Sequence, residues 1–177
     1  MRTQKNDAAV LSAVSQKVLA QGNTPEPVGK RYFDHPWTLP GFFGKSRVVT
    51  SFGKLPIEAL RRRDPVKTIT GAYLEVQWVD KVQLDEDFLE HHPEAHPIFI
   101  PQNALGAAQP ELNLLVSPAQ KLKEPGRVGD NTLKPASSLV NRTKATRLPH
   151  AGFTYYVFHC GQPAVINVDG LWFETTA

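Results

Sequence analysis

The sequence is poor in several things that would have pointed to familiar classes of protein. It has one cysteine, Cys160, so an intrachain disulfide framework is excluded and a reducing compartment is expected. No apolar run approaches the ~20 residues that a helical membrane span requires. The formal net charge is only +3, too small for a field that would draw in nucleic acid over a distance. A convincing export signal is also missing. Asp7 sits where such a signal carries positive charge, and Ser15, Gln16 and Lys17 interrupt its apolar stretch. These absences predict a soluble, cytoplasmic protein, or one assembled into a particle in the cytoplasm.

What is present is an ordinary globular balance, with 41% apolar and 21% charged residues over 177 positions, enough for a real core. Fifteen prolines and twelve glycines predict many turns and short elements. Residues 7–21 read as a helix, capped by Asp7 and stopped by Gly22, with Val10, Leu11, Val14 and Val18 on one face. "GNTPEPVGKRYFDHPWTLP" follows as a proline-rich arm. Its Tyr32, Phe33 and Trp37 are costly to leave in water, so they are expected to dock on a partner, on another copy or on the chain's own surface.

From residue 41 the pattern turns to β. "SRVVTSFGKLPIEAL" gives two strands around a turn at Phe52-Gly53, and "VKTITGAYLEVQWVDKVQL" is rich in β-branched and aromatic residues. "HPIFIP" and "ELNLLVS" are short apolar runs. "FTYYVFHC", "PAVINVDG" and "LWFETTA" close the chain as strands, with Gly161 and Gly170 at the turns, and "KEPGRVGDNTLKP" reads as a loop. Beyond the first helix, none longer than about two turns is expected. The fold class is therefore all-β, with a domain over 41–177 preceded by a helix and arm over 1–40. Trp78 and Trp172 are expected in the core, and Thr154, Tyr155 and Tyr156 as strand residues with one face outward.

The blocks "GFFGKSRVVTSFGKLPIEAL", "RRRDPVKT", "VQWVDKV", "IPQNALG", "LNLLVSPAQKL", "LKPASSLVN" and "GFTYYVFHCGQPAVINVDGLWFET" together resemble the bacterial Hedgehog/intein, or Hint, domains. The resemblance implies a fold of interlaced β-hairpins. It also implies a chemistry in which the first residue, Cys or Ser, attacks the carbonyl just before it, while a histidine in a later block assists the departing amide nitrogen. The scissile bond would here be Pro40–Gly41.

Glycine has no side chain with which to attack. Ser46, the next hydroxyl, aligns with the family's threonine and lies five residues on, without the five-membered-ring geometry that drives the acyl shift. In "SPAQ", Ser117 opens the second block and Gln120 stands at its histidine. Glutamine donates a hydrogen bond but delivers no proton near neutral pH. Val157 occupies a position where relatives commonly carry a further histidine, and Arg63 stands at the family's glycine before Asp64. Pro40, Gly41, Ser46, Ser117, Gln120 and Val157 thus form a vestigial site, and no catalytic residue is assigned.

Other candidates are weaker. His91, His92 and His96 include an i, i+4 pair, yet Pro93 and Pro97 argue against the helix that zinc binding would need, so a solvated hairpin loop is expected. His159 and Cys160 are adjacent, and neighbours on a strand point to opposite faces. The basic groups Arg61, Arg62 and Arg63, Lys121 with Lys123, and Arg142, Lys144 and Arg147 read as solvated turns. No metal or cofactor is expected. The resulting expectation is an inactive Hint-like domain serving as a structural or recruiting module through residues 1–40, which suits a subunit of a larger, phage-like particle. The alternatives are self-processing through an altered nucleophile and nucleic-acid binding.

Overall fold

The structure is a computed structural model and describes residues 37–125 and 132–176. The expected helix over 7–21, and Tyr32, Phe33, Asp34 and His35 in the arm, lie outside the described residues.

The described chain is built of short strands. The longer ones are β1 (Arg47–Thr50), β2 (Gly53–Pro56), β5 (Trp78–Leu84), β11 (Phe153–His159), β12 (Ala164–Val168) and β13 (Leu171–Thr175). Between them lie β3 (Pro65–Lys67), β4 (Tyr73–Glu75), β6 (Ile98–Ile100), β7 (Leu114–Val116), β8 (Lys121–Lys123), β9 (Leu133–Pro135) and β10 (Thr146–Arg147). The described α-helix, α1, spans Glu86–His91. Asp85 caps it, its side chain accepting the Phe88 N–H at 2.9 Å.

One sheet runs β4-β3-β1-β12-β13-β8-β9, with β2 paired to β1. The β1–β2 hairpin turns at Phe52-Gly53 as the sequence predicts, and Gly53 has a φ of 111°, a conformation that side chains disfavour. A second group, β10-β6-β7, and a third, β11-β5, are joined by a single residue. Phe42 bridges Val116 of β7 on one side and Tyr156 of β11 on the other.

Two buried clusters result. The larger one includes Val48, Val66, Leu122, Ile166, Val168 and Phe173 of the first sheet, with Ile98, Val116 and Phe158 from the other two groups. The smaller one holds Leu84, Leu89, Ala95, Phe153 and Tyr155, with Trp37, Phe43, Val82 and Phe88 against it. Because successive strand residues point to opposite faces, β11 serves both clusters: Phe153 and Tyr155 enter the smaller and Phe158 the larger.

Three expectations need correction. Trp78 is not core: it is 42% exposed and stacks on His159 (centroids 5.3 Å apart), because β5 pairs only with β11 and leaves its outer face to solvent. Trp172 is half-buried. Residues 91–96 are not a hairpin loop but the end of α1 followed by a 3-10 turn over Pro93–Ala95. The alternation expected over Thr154, Tyr155 and Tyr156 holds, with Tyr155 fully buried and its two neighbours half-buried.

Arg63 has a φ of 72°, where an L side chain crowds the backbone. This left-handed position is the one at which the resemblance expected glycine. Arg63→Gly is expected to stabilise the fold by about 0.5–1 kcal/mol. That is the roughly 1–2 kcal/mol of left-handed strain less the 0.5–1 kcal/mol of glycine's extra chain entropy, and urea denaturation at fixed m-value would measure it.

Candidate functional site

The site is built from the segment Trp37–Phe43, the β7 end and β11. Gly41 is buried, and its carbonyl accepts the Ser117 N–H at 2.8 Å. Phe42 exchanges both backbone bonds with Tyr156, at 3.0 and 2.8 Å, and the Phe43 N–H donates to the Leu115 carbonyl at 3.2 Å. The two phenylalanines then point opposite ways. Phe42 enters the larger cluster, edge-on to Phe173 at 5.1 Å, and Phe43 stacks on Phe153, also at 5.1 Å. Residues 41–43 are therefore riveted between two cores.

A side chain at Gly41 would force its surroundings to shift. A Cβ built there would lie 2.9 Å from Tyr155 Cβ, closer than real Cβ atoms come, and 3.2 Å from its Cγ. The crowding atoms are the root of the Tyr155 side chain and not its mobile end. At the far end, the Tyr155 hydroxyl donates to the Ala95 carbonyl at 3.0 Å. Burial pushes the phenol well above its ordinary range, so it stays neutral.

Ser117 is fully buried. Its Oγ accepts the Trp37 indole N–H at 3.0 Å and the Ala119 N–H at 3.3 Å, and its O–H donates to the Leu39 carbonyl. Both lone pairs of this hydroxyl are thereby engaged. Its proton goes to the carbonyl oxygen one residue before Pro40, and this is not the arrangement of a nucleophile facing a carbonyl carbon.

Gln120 is 2% exposed, and its amide donates to the Glu174 carbonyl at 2.7 Å and to the Lys121 carbonyl at 3.3 Å. Ser46 is buried where the chain enters β1; its N–H donates to the Phe43 carbonyl and its carbonyl accepts the Ile57 N–H. Val157 lies on β11 opposite Asp80 of β5. The structure thus brings Pro40, Gly41 and Ser117 together, joins Ser46 to them through the Phe43 turn, and gives Gln120 to the β8–β13 side.

The model of the Hint domain matches residues 40–177. The chain belongs to the Hint domain family. Among solved structures, this Hint domain is similar to the gp41-1 intein, with a TM-score of 0.47 and 15% identity over 79% of this chain and 100% of that one. It is also similar to the Ssp DnaB mini-intein variant M86, at 0.47 and 9% over 81% and 98% of the two chains. The AceL NrdHF class 3 split intein, in a splice-inactive variant, gives 0.44 and 16% over 77% and 97%. Among curated proteins none matches.

The remaining candidates make contacts of their own. His91 Nδ1 bonds the Asp87 carbonyl at 2.7 Å. His92 stacks on Phe88 with centroids 4.3 Å apart, and His96 Nδ1 accepts the His150 N–H at 3.2 Å, so the three imidazoles serve separate contacts. Among the described residues no group of three His, Cys, Asp or Glu side chains could hold a metal ion. Cys160 is buried, and burial raises its thiol pKa, which disfavours the thiolate. Arg142 pairs with Glu124, while Arg147 donates to the Glu94 and His96 carbonyls. Two of the three basic groups in that stretch are committed within the chain.

Sequence reasoning passed over Tyr155 and the pair Phe42-Phe43. The alternation in "FTYYVFH" was the available signal. It places Phe153 and Tyr155 on one face, but only the packing of Trp37, Phe43, Ala95 and α1 (Phe88, Leu89) against them shows that this face is covered.

Proposed function

We propose that this Hint domain no longer cleaves itself and serves as a structural or recruiting module. The observation that carries this reading is the 2.9 Å approach between a Cβ at Gly41 and Tyr155 Cβ, since the space that a nucleophile would need is already taken up by strand β11. Around it, the proton donor expected in the second block is a glutamine whose amide is spent on two backbone carbonyls. An acyl shift needs an atom to attack and a group to protonate the departing nitrogen, and these positions supply neither.

The module's contact with a protein partner or another copy is assigned to the arm within residues 1–40, Tyr32 and Phe33 above all. The place of work is the cytoplasm or a particle assembled there, a phage-like one included. No helix among the described residues is long and apolar enough to cross a membrane.

Intact mass of the full chain, followed through prolonged incubation with and without a thiol, tests the reading. A single species of unchanged mass is expected. A fragment beginning at Gly41 would overturn it in favour of self-processing by an altered nucleophile.

A further inference from the structure

We propose that the former reaction site has become a clamp for the chain's own leading segment, with Trp37 as the piece it grips. This deepens the reading above, because a clamp on residues 37–40 requires the Pro40–Gly41 bond to stay intact.

The grip is a relay of hydrogen bonds centred on Ser117. The Trp37 indole N–H donates to Ser117 Oγ at 3.0 Å, and the Ser117 O–H donates in turn to the Leu39 carbonyl. The Ser117 backbone N–H holds the Gly41 carbonyl at 2.8 Å. One buried serine therefore fixes three points spread over five residues of the segment.

Around the indole, the wall is aromatic. Phe88 of α1 meets it edge-on with centroids 6.1 Å apart, and Tyr155 lies 6.4 Å away on the other element. Trp37 is half-buried and belongs to the smaller cluster. A tryptophan combines large apolar area with one N–H, so it answers both the aromatic wall and the serine oxygen. The occupant is thus defined by chemistry: an extended segment bearing a tryptophan two residues before a carbonyl that Ser117 can reach. Residues 37–39 of this chain meet that description.

The consequence concerns the arm. Trp37 is spent within the chain, on Ser117 and the aromatic wall. Of the three arm aromatics proposed for a partner, Tyr32 and Phe33 remain as candidates.

Solvent exchange of the indole N–H groups in the full chain tests the clamp, with Trp37→Phe assigning the signal and intact mass verifying an uncut chain. The Trp37 indole proton is expected to exchange at least about tenfold more slowly than that of the exposed Trp78. In Ser117→Ala it should accelerate toward the Trp78 rate, while the amides of β12 and β13 keep their protection. Equal rates for Trp37 and Trp78 in the wild type would overturn the clamp, as would a slow Trp37 signal unmoved by Ser117→Ala in a folded protein. Should that variant not fold, the wild-type comparison alone decides. A cut at Pro40–Gly41 would register separately, as a change of mass.

Discussion

Tyr155→Ala is expected to destabilise the domain by about 3–5 kcal/mol, the range for deleting a fully buried aromatic side chain. Tyr155 is 0% exposed and lies at the centre of the smaller cluster, with Phe153 at 4.8 Å, Phe43 at 5.9 Å and Trp37 at 6.4 Å between ring centroids. Its loss leaves a cavity among rings anchored on several different elements, and these cannot all close inward together. The truncation also strips the Ala95 carbonyl of its donor. Tyr155→Phe removes only that bond and should cost about 0.5–1.5 kcal/mol. Urea unfolding of the pair separates packing from hydrogen bonding. An alanine variant within 1 kcal/mol of wild type would mean that the cluster does not depend on this ring.

Gly41→Cys would restore the missing sulfur in name, and two results are expected. Stability should fall by about 1–3 kcal/mol, the usual cost of forcing extra atoms into a packed site. The new Cβ meets the root of Tyr155, and the strands cannot part easily. Phe42 and Tyr156 exchange two backbone bonds beside it, and Ser117 holds the Gly41 carbonyl. The variant should also stay uncut in the presence of thiol, because Gln120 has its amide committed to the Glu174 and Lys121 carbonyls and carries no titratable proton. Denaturation and intact mass read the two effects independently. Thiol-dependent release of a fragment beginning at residue 41 would mean that the rest of the site is still competent.

Local chemistry was legible along the chain. The turn at Phe52-Gly53 and the turns at Gly161 and Gly170 fall where expected, since a glycine at positive φ answers a need of its own backbone. The helix α1 was not expected, although Asp85 followed by Glu86 and Asp87 supplies an acidic N-terminus with its cap; the prolines at 93 and 97 drew the reading toward a loop. Trp78 misled because its surroundings are set by what lies beyond β5, a strand with one neighbour. Composition makes a tryptophan look like core, but coverage makes it so.

By itself the sequence determined the all-β class, the positions of the tight turns, and the absence of an attacking atom at Gly41, because these depend on single residues or on neighbours a few positions apart. The family resemblance could be read there as well, from blocks spread over the chain. Only the tertiary structure decided what fills the place of the missing side chain. Tyr155 lies 114 positions from Gly41, and Ser117 lies 78 from Leu39 and 80 from Trp37. No local preference links such residues. They meet because residues 41–43 pair with β7 and β11 at once, and that pairing follows from burying Phe42 in one core and Phe43 in the other.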